Sequence, residues 1–276
     1  MKLAKTAAGI FLISIAIVSC GKYSKIEKSK DENFKLAKAD EFYAKKKYRI
    51  AQQLYEGLFP AFKGSEKFED LYYKYAYTFY NQGLYKDAEN MFKGYLEVFP
   101  NSARAEEMDY MRAYSFYKQS PKLELEQVNT VKAMNMMQTF INTHPGSARN
   151  KEAAEIIELS RKKLELKEYR TAQLYYNLEK YRAAAIAFEA LLDKYSESGS
   201  GEDYKLMVIK SYYRFAKMSI MDKQIERYER VTAEYQDFLD RYPESTKLKE
   251  AMEYVTLSNN KIKEIQNEQT ASSAKR

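Results

Sequence analysis

Between Leu71 and Pro100 the apolar positions fall into two short helical stripes separated by a break. Ala76 and Phe79 lie three apart, Gly83 interrupts, Tyr85 resumes, and Ala88, Phe92 and Tyr95 carry a second stripe towards Pro100. Spacings of three and four put these residues on one face of a helix, and the glycine break predicts a helix–turn–helix. Helices this short are marginal alone, so the unit needs neighbours against which to bury its faces. The same pattern recurs elsewhere. Tyr48, Ala51 and Tyr55 precede Tyr85, Ala88 and Phe92 by 37 positions, and Tyr181, Ala184 and Phe188 repeat it again with Ala172 and Tyr175 upstream.

Small residues where helices must cross, aromatics beside them and a turn glycine resemble the tetratricopeptide (TPR) repeat, whose period is about 34 residues. The implied fold is all-α: a right-handed α-solenoid of about five TPR-like helical hairpins plus a C-terminal capping helix. Repeat one runs from about Asn33 to Pro60, with Ala39 and Phe42 on its first helix and Ala51, Tyr55 and Leu58 on its second. Repeat three carries Tyr110, Ala113 and Phe116, then a polar insertion from Lys118 to Glu126, then Ala133, Met137 and Phe140 before His144-Pro145. Repeat four spans about Lys167 to Ser196, and the Gly/Ser-rich loop from Ser196 to Gly201 is the expected hinge or subdomain boundary. Repeat five pairs Tyr204–Ser219 with Gln224–Tyr242, taking Tyr235, Phe238 and Leu239 as core, and Glu250–Ile265 closes the array.

The first residues read differently. Lys2 and Lys5 precede an apolar run from Ala7 to Val18, which is too short to span a bilayer and fits a secretory signal. Ile17-Val18-Ser19-Cys20 resembles the bacterial lipobox, which makes Cys20 the expected lipidation site. As the single cysteine, it leaves no internal disulfide, so the fold rests on packing. The expected organisation is 1–19 signal peptide, 20–33 acylated N-terminus and flexible tether, 34–150 repeats one to three with a substrate groove, 151–265 repeats four and five with the capping helix and a docking role, and 266–276 disordered tail.

Composition agrees with a helical array: 276 residues with only 9 Gly and 5 Pro, and 26 Tyr against no Trp. The formal charge of +7 falls to +5 once Lys2 and Lys5 leave, and Lys alternates with Glu along most helices. A solvated polar surface explains this better than nucleic-acid binding. Chemistry is scarce. One His and one Cys exclude the usual nucleophilic relays and His/Cys metal clusters, and there is no glycine-rich phosphate loop, so no catalytic residue, metal or cofactor is expected. Paired carboxylates such as Glu106-Glu107 read as solvent-facing, His144 as a helix-end residue, and Met134, Met136 and Met137 as core filling.

In TPR units the first helices line a concave surface. Mapping by the motif assigns Tyr43 in repeat one, Tyr73, Tyr77, Tyr80 and Asn81 in repeat two, and Tyr169, Tyr176 and Asn177 in repeat four to a peptide-binding groove, with Tyr43, Tyr80 and Tyr176 in one register. Tyrosine offers a ring and a hydroxyl at low entropic cost, and asparagine can pair with a peptide backbone. A second reading stays open: these tyrosines pack between repeats.

The lipobox, the tether, five degenerate repeats often ending in aromatic-Pro, Tyr110-Met111-Arg112 opening repeat three and the Ser120-Pro121-Lys122 insertion resemble the BamD family. That family is the lipoprotein subunit of the outer-membrane β-barrel assembly machinery. The resemblance implies an outer-membrane lipoprotein, lipid-anchored and facing the periplasm. Its partners would be unfolded outer-membrane protein precursors at the N-terminal repeats and the periplasmic domains of a BamA-like barrel subunit at the C-terminal ones. Ser196 in place of proline and the loop after it depart from the pattern. The alternatives are another periplasmic TPR lipoprotein that scaffolds envelope division or peptidoglycan machinery, and a helical cell-wall hydrolase, for which no glycine-rich substrate loop is present.

Overall fold

The computed structural model describes residues 25–273. The expected signal peptide, Cys20 and the first tether residues lie outside them. From Glu32 onward eleven α-helices follow one another among the described residues: α1 (Glu32–Ala44), α2 (Tyr48–Phe62), α3 (Phe68–Asn81), α4 (Tyr85–Val98), α5 (Ala105–Lys118), α6 (Val128–Thr143), α7 (Asn150–Asn177), α8 (Tyr181–Lys194), α9 (Gly201–Lys217), α10 (Met221–Arg241) and α11 (Leu248–Ser273). They pair as five hairpins and a closing helix, the all-α helical-repeat class that the periodicity implies.

Three of the hairpin turns share one backbone solution. Lys46, Gly83 and Glu179 take positive φ of 56°, 76° and 59°, each three positions after a tyrosine of the common register. The N–H of Gly83 donates to Tyr80 O at 3.0 Å and that of Leu84 to Phe79 O at 3.0 Å, with the same pair of bonds at Lys46–Lys47 and Glu179–Lys180. This is the Schellman arrangement, which satisfies the last carbonyls of a helix. The other ends of the hairpins are also alike. Phe99, His144, Tyr195 and Tyr242 all stop their helices at φ between −121° and −137° with ψ between 48° and 62°, three of them immediately before a proline or its neighbour in the loop.

The chain divides into two compact units, one through Ser160 and the other from Arg161. In the first, Ala39, Ala51, Ala76 and Ala88 are fully buried where helices cross, and Tyr55, Leu58, Phe92, Tyr95, Met137 and Phe140 fill the space beside them. In the second, Ala172 and Ala184 take the crossing positions and Phe188, Val208, Val231 and Phe238 the filling ones. Alanine at a crossing admits a close backbone, and overpacking it would cost about 1–3 kcal/mol.

Several expectations change. The unit boundary falls within α7, away from the Gly/Ser loop, where Ser198 Oγ donates to Glu165 and Gly201 already opens α9. Helix α7 starts at Asn150, well before the expected start of repeat four, because an apolar seam of Ala153 and Ile156 packs into the first unit's core. Pro60 sits inside α2, which continues to Phe62. Helix α11 extends past Ile265 to Ser273, where a disordered tail was expected. Ile26, expected in the flexible tether, packs against the core beneath α1 and α2. Tyr175, placed in the repeating stripe, is 39% exposed, and the core position is held by Ala172 alone.

Candidate functional site

In the first unit, Tyr73, Tyr77 and Tyr80 sit on α3 at spacings of three and four, so their rings form a continuous strip. Ring centroids are 4.8 Å apart for Tyr73–Tyr77 and 6.2 Å for Tyr77–Tyr80. Tyr43 reaches the same strip from the end of α1, close enough to Tyr73 and to the exposed Asn81 side chain for both to act on its phenol. All five first-unit groove residues assigned by the motif are therefore brought together.

The centre of this cluster is Glu107 on α5. It accepts a hydrogen bond from the Tyr77 hydroxyl at 2.5 Å and a longer one from Tyr73 at 3.3 Å. Arg149 lies 3.8 Å from the same carboxylate, and the Arg104 guanidinium lies over the Tyr73 ring at 4.3 Å while holding Asp70 at 3.0 Å. Burial pushes the Tyr43 and Tyr80 phenols up to about 12, with neighbouring tyrosines adding to the effect. Tyr77 is pushed up further still, by burial and then by its bond to Glu107. These phenols are neutral donors at any ordinary pH. The surface can pair with carbonyls and carboxylates and stack on apolar groups, and it presents no nucleophile.

In the second unit the register repeats. Tyr176 meets Tyr181 edge-on at 5.3 Å, as Tyr43 meets Tyr48 at 5.6 Å and Tyr80 meets Tyr85 at 5.5 Å. Tyr176 raises the pKa of the nearby Arg214 guanidinium, and Asn177 accepts from Gln173 at 2.9 Å. Tyr169 differs, because its ring packs on Phe188 and Tyr204 and completes the core. The packing reading therefore describes Tyr169 and one face of each of the others, while Asn81 and Asn177 stay exposed.

Carboxylates read as solvent-facing turn out to lock the repeats. Ser102 Oγ donates to Glu69 at 2.6 Å, and Arg104, two residues on, pairs with Asp70. Ser147 donates to Glu106 at 2.5 Å while Arg149 faces Glu107, and Ser245 donates to Glu202 at 2.7 Å while Lys247 pairs with Asp203 at 2.6 Å. Each loop serine also accepts from the backbone N–H two residues later, at 2.9 Å in the case of Arg104. The signal was present as Ser-x-Arg or Ser-x-Lys in these three loops, each opposite a pair of acids. Glu106 is exposed, as expected, and accepts from Ser147 there, whereas Glu107 departs from the expectation, half-buried beneath Tyr73 and Tyr77.

A different polar centre occupies the second unit. Lys205, 3% exposed, reaches Glu234 and Asp237 at 2.5 Å each, and Arg230 holds the other side of Glu234 at 2.5 Å. It floors a cleft of ≈ 440 Å³ that Glu189, Asp193 and Arg241 also line. His144, the cap of α6, pairs with Asp109 at 3.2 Å. Among the described residues no helix is long and apolar enough to cross a membrane, and no group of three His, Cys, Asp or Glu could hold a metal ion.

Comparison with curated proteins gives no match. Among solved structures, the TPR2AB-domain:pHSP90 complex of yeast Sti1 is similar at 12% identity and a TM-score of 0.39, over 83% of this chain and 98% of that one. The sequence profile of the YfiO family, described as outer membrane lipoprotein, matches residues 28–224. That span includes the tyrosine strip, Glu107 and four complete hairpins, and on it the chain belongs to the YfiO family of outer membrane lipoproteins, the BamD family.

Proposed function

We propose that this chain is the lipoprotein adaptor of the outer-membrane β-barrel assembly machinery. Acyl chains on Cys20 anchor it to the outer membrane, facing the periplasm. The tyrosine strip of the first unit holds unfolded outer-membrane protein precursors, and the C-terminal hairpins dock on the periplasmic domains of a BamA-like barrel subunit. Family membership supports the setting, and the strip of Tyr73, Tyr77 and Tyr80, held at Glu107 through the first two and flanked by Tyr43 and Asn81, supports the binding role.

The physical logic is that of a holdase surface. A precursor strand carries unpaired backbone groups and alternate apolar side chains. Tyrosine rings accept the side chains, and hydroxyls and the Asn81 amide pair with the backbone. The phenols are already held by Glu107 and by one another, so little side-chain entropy is lost on binding. Double acylation suits the anchor, because a single chain binds membranes only marginally.

Photo-crosslinking of a precursor to the purified chain tests this reading. Tyr80→Ala with Asn81→Ala should weaken capture about tenfold or more, as expected for aromatic hot-spot positions, while circular dichroism reports an intact helical fold. Unchanged capture by a folded double variant would overturn the groove. A membrane pull-down that recovers division or peptidoglycan proteins without a BamA-like subunit would overturn the assembly role.

A further inference from the structure

The turn between α9 and α10 exposes an apolar tip. Met218, Ile220 and Met221 are 63%, 71% and 53% exposed, although neighbouring residues in the same hairpin are buried. Nothing in the turn requires this. The N-caps at the corresponding turns are Lys47 before α2, Leu84 before α4 and Lys180 before α8. Ile220 is itself the N-cap of α10, at φ −62° and ψ 148°, and makes no side-chain cap bond. Isoleucine is among the poorest N-cap residues, since it cannot accept from the free amides of the first turn. The residue therefore works against the helix it starts.

The neighbouring turn shares this edge. The Tyr176 phenol, near the end of α7, acts on the Arg214 guanidinium near the end of α9, which puts those two helix ends near one another. The α7–α8 turn then contributes Leu178, 57% exposed, to the same edge. Lys180, Lys217, Lys223 and Arg227, which bonds Ser219 in the turn itself, flank the apolar residues against the acids Glu179, Asp222 and Glu226, the last paired with Lys223. The equivalent first turn of the other unit is Lys45-Lys46-Lys47, with no apolar residue at all.

We infer that this edge of the second unit docks on an anionic phospholipid surface, with Met218, Ile220 and Met221 entering the headgroup–acyl boundary and the lysines facing lipid phosphates. Apolar side chains ringed by lysine are the pattern of interfacial insertion, and the net positive rim complements anionic lipid. A chain of an outer membrane lipoprotein family works at such a surface. The contact gives the C-terminal unit its own hold on the bilayer, separate from the N-terminal anchor.

The sequence contains no tryptophan, so Ile220→Trp introduces a single reporter. The full chain carrying it is mixed with vesicles of phosphatidylethanolamine and phosphatidylglycerol whose acyl chains are brominated near the carbonyl end. The vesicles are floated, and quenching is measured on the floated protein. Emission should fall by roughly half relative to unbrominated vesicles, as a side chain at the acyl boundary requires, while Lys47→Trp at the equivalent turn should be unquenched. Adding Met218→Ser and Met221→Ser should remove most of the quenching, and phosphatidylcholine vesicles should give less of it. Ile220→Ser should leave the Tm equal or raise it.

Absence of quenching in floated protein, or a chain that neither floats nor quenches, overturns the inference. So does a blue shift of the Ile220→Trp reporter that appears only with added membrane proteins and without quenching, which would place a protein partner on the edge. A lower Tm for Ile220→Ser overturns it too, by making the isoleucine structural.

Discussion

The two units are built from the same hairpin, with the same turns and the same serine–glutamate locks, yet their polar centres are chemically opposite. In the first, neutral phenols converge on Glu107, a carboxylate whose side chain is 30% exposed. In the second, the Lys205 ammonium is sealed between Glu234 and Asp237. A phenol that leaves Glu107 for an incoming chain strands no fully buried charge, because the carboxylate keeps Arg149 at 3.8 Å and contact with water. A buried ion pair cannot be opened in this way, because opening it strands a charge in a poor dielectric. The first unit is thereby suited to exchange partners at its surface, and the second to hold its shape.

The contrast can be broken most forcefully at Lys205. Lys205→Met removes the cation and leaves Glu234 buried beside Arg230 alone, so the second unit should lose about 3–5 kcal/mol in denaturant unfolding. Glu107→Gln should cost only about 1 kcal/mol, since an amide oxygen still accepts from both phenols. Equal losses for the two variants would remove the distinction.

Acid should act on the locks. The Ser102 and Tyr95 hydrogen bonds hold the Glu69 carboxyl below its ordinary 4.5. A depressed folded-state value means the stabilisation is complete above the unfolded value and is lost as pH falls through the folded one. The thermal midpoint of the first unit should therefore drop as pH is taken below about 4.5, and Ser102→Ala should flatten that dependence while costing about 1 kcal/mol at neutral pH. A profile unchanged by Ser102→Ala would show that the lock does not set the acid response. The smallest effect is expected at the turns. Glu179→Gly and Lys46→Gly relieve positive φ and should each raise stability by about 0.5–1 kcal/mol, whereas Gly83→Ala should lower it by a similar amount, all read from thermal melts.

Much of this was legible before any coordinates. The hairpins, their order and the Tyr43–Tyr80–Tyr176 register follow from spacings of three and four and from a glycine break, which are local features. The long α7 was half missed, because its first turns carry no repeat motif and only Ala153 and Ile156, packing into a distant core, explain why it starts at Asn150. Pro60 read as a stop, yet the buried Phe62 draws α2 past it. The partners of the carboxylate pairs were hidden for the same reason. Nothing within a few residues of Glu106 or Glu107 shows that Ser147 and Tyr77 will arrive beside them.

Helix periodicity and turn chemistry are written in neighbouring residues, so the sequence alone settled the class of fold, the position of most hairpins and the face on which the tyrosines stand. Which hydroxyl meets which carboxylate depends on residues tens of positions apart, and only the packing of hairpin on hairpin brought Tyr77 to Glu107 and Lys205 to Glu234. Side-chain partnership is a property of the folded neighbourhood, because a hydrogen bond or an ion pair forms over about 3 Å in space whatever the distance along the chain.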